Sequence, residues 1–355
     1  MLGNGSRQSS NCTDWDQAVV GCRLLLMVLL IAAITLGNLV SLLVFLSGRQ
    51  FRTSQGYLKA SLALADLAVG LFVVPYSAYR EGRRLAYGTE ETGQSDRAAC
   101  FITGPIFAGC TFVSISTISL LSVERTIAVL KPLHWKTVIT KRRTVWLILA
   151  SWAISFCLAM LPMLSMPGMT FQYNPCTKMC NYAFPLNKLP KSHWNIMLLY
   201  PVFDFSLMGG TIAINVITFA VLHRYCKMRK QLGEEPPGGN QLSFSDITAA
   251  KTIGILTLVF SITFFPVAVF VVGSVMGYQW CQFSFYAFWI LASNSCWNVA
   301  IYSIWDPKFR QRLRQLFNKP GRIPAFQHSS HSLEGHSSAP VCVAVLKEMF
   351  HPDSF

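Results

Sequence analysis

The stretch Ser114-Ile115-Ser116-Thr117-Ile118-Ser119-Leu120-Leu121-Ser122-Val123-Glu124-Arg125-Thr126 is an apolar run with a hydroxyl at every second or third place, and it ends abruptly in Glu-Arg. A helix of that content suits a bilayer. Its apolar groups face lipid or neighbouring helices, and its small hydroxyls let helices approach closely. The charged pair then sits where the hydrocarbon stops, because ionised groups deeper in the membrane are expensive. That places Glu124 and Arg125 as a switch at the inner mouth of a helical bundle.

Composition agrees. The chain has 355 residues, 52% hydrophobic and 13% charged, against about 25% charged in a soluble protein. The formal charge is +14, but the Lys and Arg residues collect in short links between apolar runs. That pattern fits anionic lipid headgroups and argues against a nucleic-acid partner. Cys176 and Cys180 have no matching cysteine pair, so a zinc site is not expected.

Apolar runs long enough to cross a bilayer recur near 22–47, 56–79, 99–126, 144–166, 193–224, 249–276 and 283–305. Pro162, Pro201 and Pro266 lie inside three of them, as membrane helices tolerate. The basic residues set the orientation. Arg49 and Arg52, then Lys131 to Arg143, then Arg224 to Lys230, then Lys308 to Arg314 occupy alternate links and the tail. The other links are mixed or neutral. Arg80, Arg83 and Arg84 are balanced by Glu81, Glu90, Glu91 and Asp96.

The expected organisation is an extracellular tail over 1–21, a seven-transmembrane domain over 22–305, an amphipathic membrane-surface helix over 306–318 and a disordered cytoplasmic tail over 319–355. The first tail carries two glycosylation sequons, at Asn4 and Asn11, and the first span doubles as an uncleaved signal anchor. Residues 233–240 read as a flexible loop by composition. The fold class is an all-α membrane protein, a seven-helix bundle with a short eighth helix.

The marks within these spans resemble the rhodopsin-like (class A) G-protein-coupled receptors, from about residue 25 to 318. They are Gly37-Asn38, Leu62-Ala63-Leu64-Ala65-Asp66, Cys100, Glu124-Arg125-Thr126, Trp152, Phe260-Ser261-Ile262-Thr263-Phe264-Phe265-Pro266, Asn298-Val299-Ala300-Ile301-Tyr302 and Phe309-Arg310. The resemblance implies a plasma-membrane receptor that passes an external signal to a heterotrimeric G protein, with arrestin and receptor kinases as further partners. Ser243, Ser245 and the tail serines 329, 330, 332, 337 and 338 would serve as phosphorylation sites, or be merely solvated.

It also implies roles for single residues. Asp66 with Ser114, Asn294 and Asn298 would form an allosteric sodium or water site; the plain alternative is a hydrogen-bonded structural acid. Arg125 would pair with Asp246 or with neighbouring Glu124, unless both acids are solvated boundary charges. Tyr302 would swing toward the G-protein crevice, and Ile115 and Phe260 would repack. Cys100 would bridge to the fourth link, at Cys180 in preference to Cys176, leaving Cys12, Cys22, Cys176 and Cys281 unassigned.

The ligand pocket would be walled by Phe107, Ala108, Thr111, Phe112, Phe264, Val267, Ala268, Val271, Phe288, Trp289 and Ala292, aromatic and apolar with one hydroxyl, or else be tight core. Amine receptors of the family carry an Asp where this chain has Phe107. The resemblance therefore points to an orphan or amine-related branch lacking the amine-binding acid, and the absence of a Lys in span seven disfavours a retinal pigment. Asp204 would meet a ligand cation or make a polar contact with span four or the loop. Val299 stands where the family has Pro, Phe264 where it usually has Trp, and Thr126 where Tyr is common. These departures lie in the switch and make ligand-independent activity a second reading. Neither His-Glu-x-x-His nor Gly-x-Ser-x-Gly occurs, so an enzyme is not expected. A transporter or channel is the rival from another class, but it calls for paired repeats around a midplane site.

Overall fold

A computed structural model describes residues 14–88, 94–130, 135–165, 169–183, 194–232, 244–276, 278 and 280–317. The sequons at Asn4 and Asn11, Cys12, the loop at 233–240, the serines at 243 and 329–338, and the tail from 318 lie outside them. The long helices are α1 (Asp14–Ser47), α2 (Ser54–Ala68) continued by α3 (Val74–Tyr87), α4 (Gln94–Leu130), α6 (Lys141–Ser165), α7 (Trp194–Leu232), α8 (Phe244–Val275) and α9 (Cys281–Trp305). A short α5 (Trp135–Val138) lies between α4 and α6, and α10 (Pro307–Phe317) follows α9. Counting α2 and α3 as one span, six of these helices are long and apolar enough to cross a membrane by length and composition. The seventh, α9, has 25 residues and no charged side chain, but its Ser and Asn residues dilute its hydropathy.

Several helices outrun the apolar runs. Helix α1 begins at Asp14, inside the segment read as tail, and α7 and α8 extend past residues 224 and 249. Hydropathy marks where lipid ends, whereas good helix formers such as Lys, Arg, Gln and Met carry a helix on into water. For the same reason residues 80–87, read as the head of a charged link, are helical in α3. That helix ends at Gly88, whose φ of 66° lets its N–H reach the Arg84 carbonyl at 2.9 Å. Helices α2 and α3 join through a π turn over Val69–Val73. Pro75, just beyond it, has no N–H to give, and the wide turn absorbs the missing bond.

Helix α4 is the axis. It packs on α2, α6, α7 and α8 and on a β-hairpin. Its hydroxyls make a seam with α7: Ser119 meets Thr211 at 2.6 Å and Thr126 meets Thr218 at 2.7 Å. Between them Asn215 donates to Ser122 at 3.1 Å and to Thr257 of α8 at 2.9 Å. Trp152 of α6 donates to Ser61 of α2, and Asn38 of α1 donates to the Ser295 carbonyl of α9. The outward faces are apolar: Leu25, Leu29, Leu36, Trp146, Leu147 and Ile154 are all exposed, as lipid-facing side chains are.

The hairpin pairs β1 (Thr170–Asn174) with β2 (Met179–Ala183), antiparallel. It covers one end of the bundle. Phe171 lies against Gly104 of α4 so closely that a Cβ there would sit 2.2 Å from the ring. Overpacking of this kind typically costs about 1–3 kcal/mol. Gly104→Ala is therefore expected to lower the unfolding temperature of the purified protein in detergent. An unchanged melt would mean that the hairpin is not seated on α4.

Candidate functional site

Asp66 sits on α2, 1% exposed, at the middle of the bundle. Asn298 of α9 donates to its Oδ2 at 2.7 Å, and the Ser295 side chain also bonds to it. Ser114 and Asn294 do not complete that set of bonds directly. They line a cavity of about 10 Å³ together with Asp66 and Ser295, and Phe107, Thr111, Phe260 and Ala292 border it as well. A volume on the order of 10 Å³ holds about one water or ion. Asn294 Oδ1 accepts from the Thr263 hydroxyl of α8 at 3.4 Å. Ser295 is the member that sequence reading missed; with Asn298 it bonds to Asp66, and with Asn294 it lines the cavity.

At the opposite end from the hairpin, Arg125 holds Glu124 with two bonds, Nε to Oε2 at 2.6 Å and Nη2 to Oε1 at 2.5 Å. The alternative of a solvated boundary charge does not hold for Glu124. Glu124 is 4% and Arg125 8% exposed, because α7 and α8 pack around the end of α4. Removing one partner of a buried pair costs about 3–5 kcal/mol, well above a surface pair. Asp246 lies in the first turn of α8, and its side chain is outside the described residues. Tyr302 is 1% exposed between Phe45 and Phe309. Ile115 and Phe260 are buried in one core cluster. Phe260 stacks on Phe264 with ring centroids 6.0 Å apart.

The residues read as a ligand pocket lie under the hairpin. Phe107 packs on Phe288 at 6.2 Å, Phe288 on Phe270 at 5.7 Å, and Phe112 on Phe203 at 5.8 Å. Val267, Ala268 and Ala292 are buried in that core; Ala108, Val271 and Phe288 are partly exposed. The single hydroxyl, on Thr111, donates to the Phe107 carbonyl in its own helix at 2.9 Å. Asp204 faces inward, 4% exposed, and its Oδ1 has no hydrogen-bond partner among the described residues.

The hairpin turn closes over this core. Trp289 donates its indole N–H to the Thr177 carbonyl at 3.0 Å, and Lys178 lies 3.6 Å from Glu81 of α3, both buried. Disulfides join Cys100 to Cys180 and Cys176 to Cys281, fastening the hairpin to α4 and to α9. The first is the pairing that the resemblance implied. Arg80 pairs with Asp96 at 2.5 Å and lies over the Tyr173 ring. So the charged link is partly an internal network, which its local sequence does not announce.

Asn298→Ala removes the amide donor from the Asp66 carboxylate. A buried acceptor that loses its donor costs about 1–3 kcal/mol, so the purified variant is expected to melt below wild type in detergent. Equal melting would show that Asp66 does not depend on that bond.

A family model described as "7 transmembrane receptor (rhodopsin family)" matches residues 37–302. The chain is 28% identical over 232 residues to neuromedin-U receptor 2 of Homo sapiens, covering 65% of this chain and 54% of that protein. It is 25% identical to the histamine H2 receptor of Canis lupus familiaris, covering 89% of this chain and 84% of the other. It is also 25% identical to the growth hormone secretagogue receptor type 1 of Mustela putorius furo, with 85% and 81% covered. The matched region runs from Gly37 in α1, through the Asp66 cluster and the Glu124–Arg125 pair, to Tyr302 in α9. The chain belongs to the rhodopsin family of seven-transmembrane receptors, multi-pass membrane proteins that signal through G proteins and are not enzymes.

Proposed function

We propose that this receptor lies in the plasma membrane with its N-terminus outside and its C-terminus in the cytoplasm, and that its ligand is not a simple cationic amine. The observation that carries the ligand reading is Phe107. Where amine receptors of the family place an Asp, this chain has a ring packed on Phe288. The histamine receptor among its relatives is named for a cationic amine. The neuromedin-U receptor is named for a different ligand, so kinship alone does not select one. Two disulfides in and around the hairpin support the orientation, since such bonds persist outside the cytosol. The basic links then face anionic lipid and the G protein within. Arrestin and receptor kinases are proposed partners, through Ser243, Ser245 and the tail serines.

A second reading is ligand-independent signalling, or modulation of a partner. It is supported by the hairpin turn, whose Thr177 carbonyl takes up the Trp289 indole and whose Lys178 approaches Glu81. The chain's own residues fill the place of an external ligand. Ligand-free cyclic AMP and inositol phosphate output, matched for surface level, separates the readings. High output abolished by Arg125→Ala and lowered by Trp289→Phe is expected if the hairpin is a built-in activator. A silent wild type awakened by Asp246→Ala is expected if the receptor waits for a ligand. Silence in wild type and every variant counts against G-protein coupling by this chain.

The Asp66 cluster is proposed as an allosteric cation site. Its carboxylate, hydroxyl and amide oxygens are the hard donors that an alkali cation takes, and the cavity suits one ion. Sodium chloride is expected to raise the melting temperature above that in choline chloride, and Asp66→Asn to remove the difference. If Asp66→Asn keeps the sodium effect, the ion binds elsewhere.

A further inference from the structure

Lys59 is a cation in an unusual place. It lies on α2, two helical turns from Asp66, and is only 4% exposed. A buried ammonium needs a partner close by. Its Nζ donates to Asp306 Oδ2 at 2.8 Å and stands 4.9 Å from the centre of the Tyr302 ring and 5.9 Å from that of Phe45. Tyr302, Phe45 and Phe309 pack together, with centroids 5.4 to 5.8 Å apart. The Tyr302 hydroxyl is buried with no hydrogen-bond partner among the described residues, and packing and the nearby cation hold the ring in place.

Asp306 is the joint between α9 and α10. Its N–H closes α9 on the Tyr302 carbonyl at 3.0 Å. Its Oδ1 accepts from the N–H groups of Lys308 and Phe309, both at 3.1 Å, and so caps α10. The other oxygen takes Lys59. Although burial tends to raise its pKa, the Lys59 ammonium and the two N–H donors bring Asp306 below the ordinary carboxylate value. One carboxylate thus couples α2, α9 and α10. Tyr302 cannot leave its seat, nor α10 tilt away, without disturbing that joint.

We propose that the Lys59–Asp306 pair is a lock on the α2 side of the bundle, separate from Arg125–Glu124, which holds Tyr302 and α10 in the resting arrangement at the G-protein end. Lys59 and Asp306 are positioning residues. They act on coupling through Tyr302 and not by touching the G protein.

The test uses the full chain in lipid nanodiscs and three variants: Lys59→Met, Asp306→Asn and the double variant. Met keeps the length of the Lys stem, and Asn keeps an N-cap acceptor, so each removes mainly the charge. Amide hydrogen exchange over 300–317 reads the lock without any G protein. About tenfold faster exchange is expected in each single variant and no more in the double. Ligand-free messenger output is expected to rise several-fold in the same three. The proposal is overturned if the double variant returns to wild-type exchange, because the pair would then only neutralise two buried charges. It is overturned also if the single effects add, if neither single variant speeds exchange, or if exchange quickens while output falls. Faster exchange with unchanged output sinks the inhibitory sense of the lock. Faster exchange in a protein that shows no output under any condition, Asp246→Ala included, leaves the mechanical lock standing and counts against the coupling on which its signalling role rests.

Discussion

A polar side chain inside a nonpolar slab has no water to turn to, and that constraint arranges the interior of this bundle. The hydroxyls of α4 show it most directly. Ser119 and Thr126 are seven residues apart, and so are their partners Thr211 and Thr218 on α7, so one register satisfies both contacts. Asn215, lying between them, extends the bonding to α8. Apolar packing alone would allow two such helices to slide or rotate. Hydrogen bonds at fixed intervals do not. The same need draws Asn298 to Asp66 and Asn38 to the Ser295 carbonyl, which fixes α9 against α2 and α1.

Much of this was legible in the chain. Apolar length located the spans, and the polar residues that interrupt them, Asp66, Asn298 and Glu124–Arg125, marked the interior. Residues that pair across long sequence separations were not legible as pairs. Nothing in the sequence around Lys59 names its partner, which lies 247 residues away at Asp306. Cys176 and Cys281 could be counted but not matched, since pairing depends on where the hairpin turn falls. Arg80 and Glu81 read only as balanced charges of a link, because hydropathy says nothing about a helix that continues past the lipid and is then covered by strands. Ser295 went unnoticed because a serine in an apolar helix more often bonds to its own backbone.

The departures from the family pattern also acquire physical meaning. Val299, in place of proline, leaves α9 continuous from Cys281 to Trp305. Its side chain faces Gly37, where a Cβ would lie 3.2 Å from a valine methyl. The bulk that replaces a kink is thus accommodated by a missing side chain on α1. Thr126, in place of an aromatic, trades a ring for a hydroxyl that joins the seam to α7. Each substitution exchanges one form of contact for another at the helices that meet around Arg125 and Tyr302.

The two disulfides carry a mechanical consequence. Cys176 and Cys180 are four residues apart, and each is bonded to a different helix, with Cα separations of 4.9 and 5.2 Å. Four residues of chain span at most about 14 Å when fully extended. The ends of α4 and α9 under the hairpin are therefore riveted to a common short strap. Helices riveted at one end behave as levers: a small tilt there is limited by the strap, while the far ends, free of any disulfide among the described residues, sweep the larger arc.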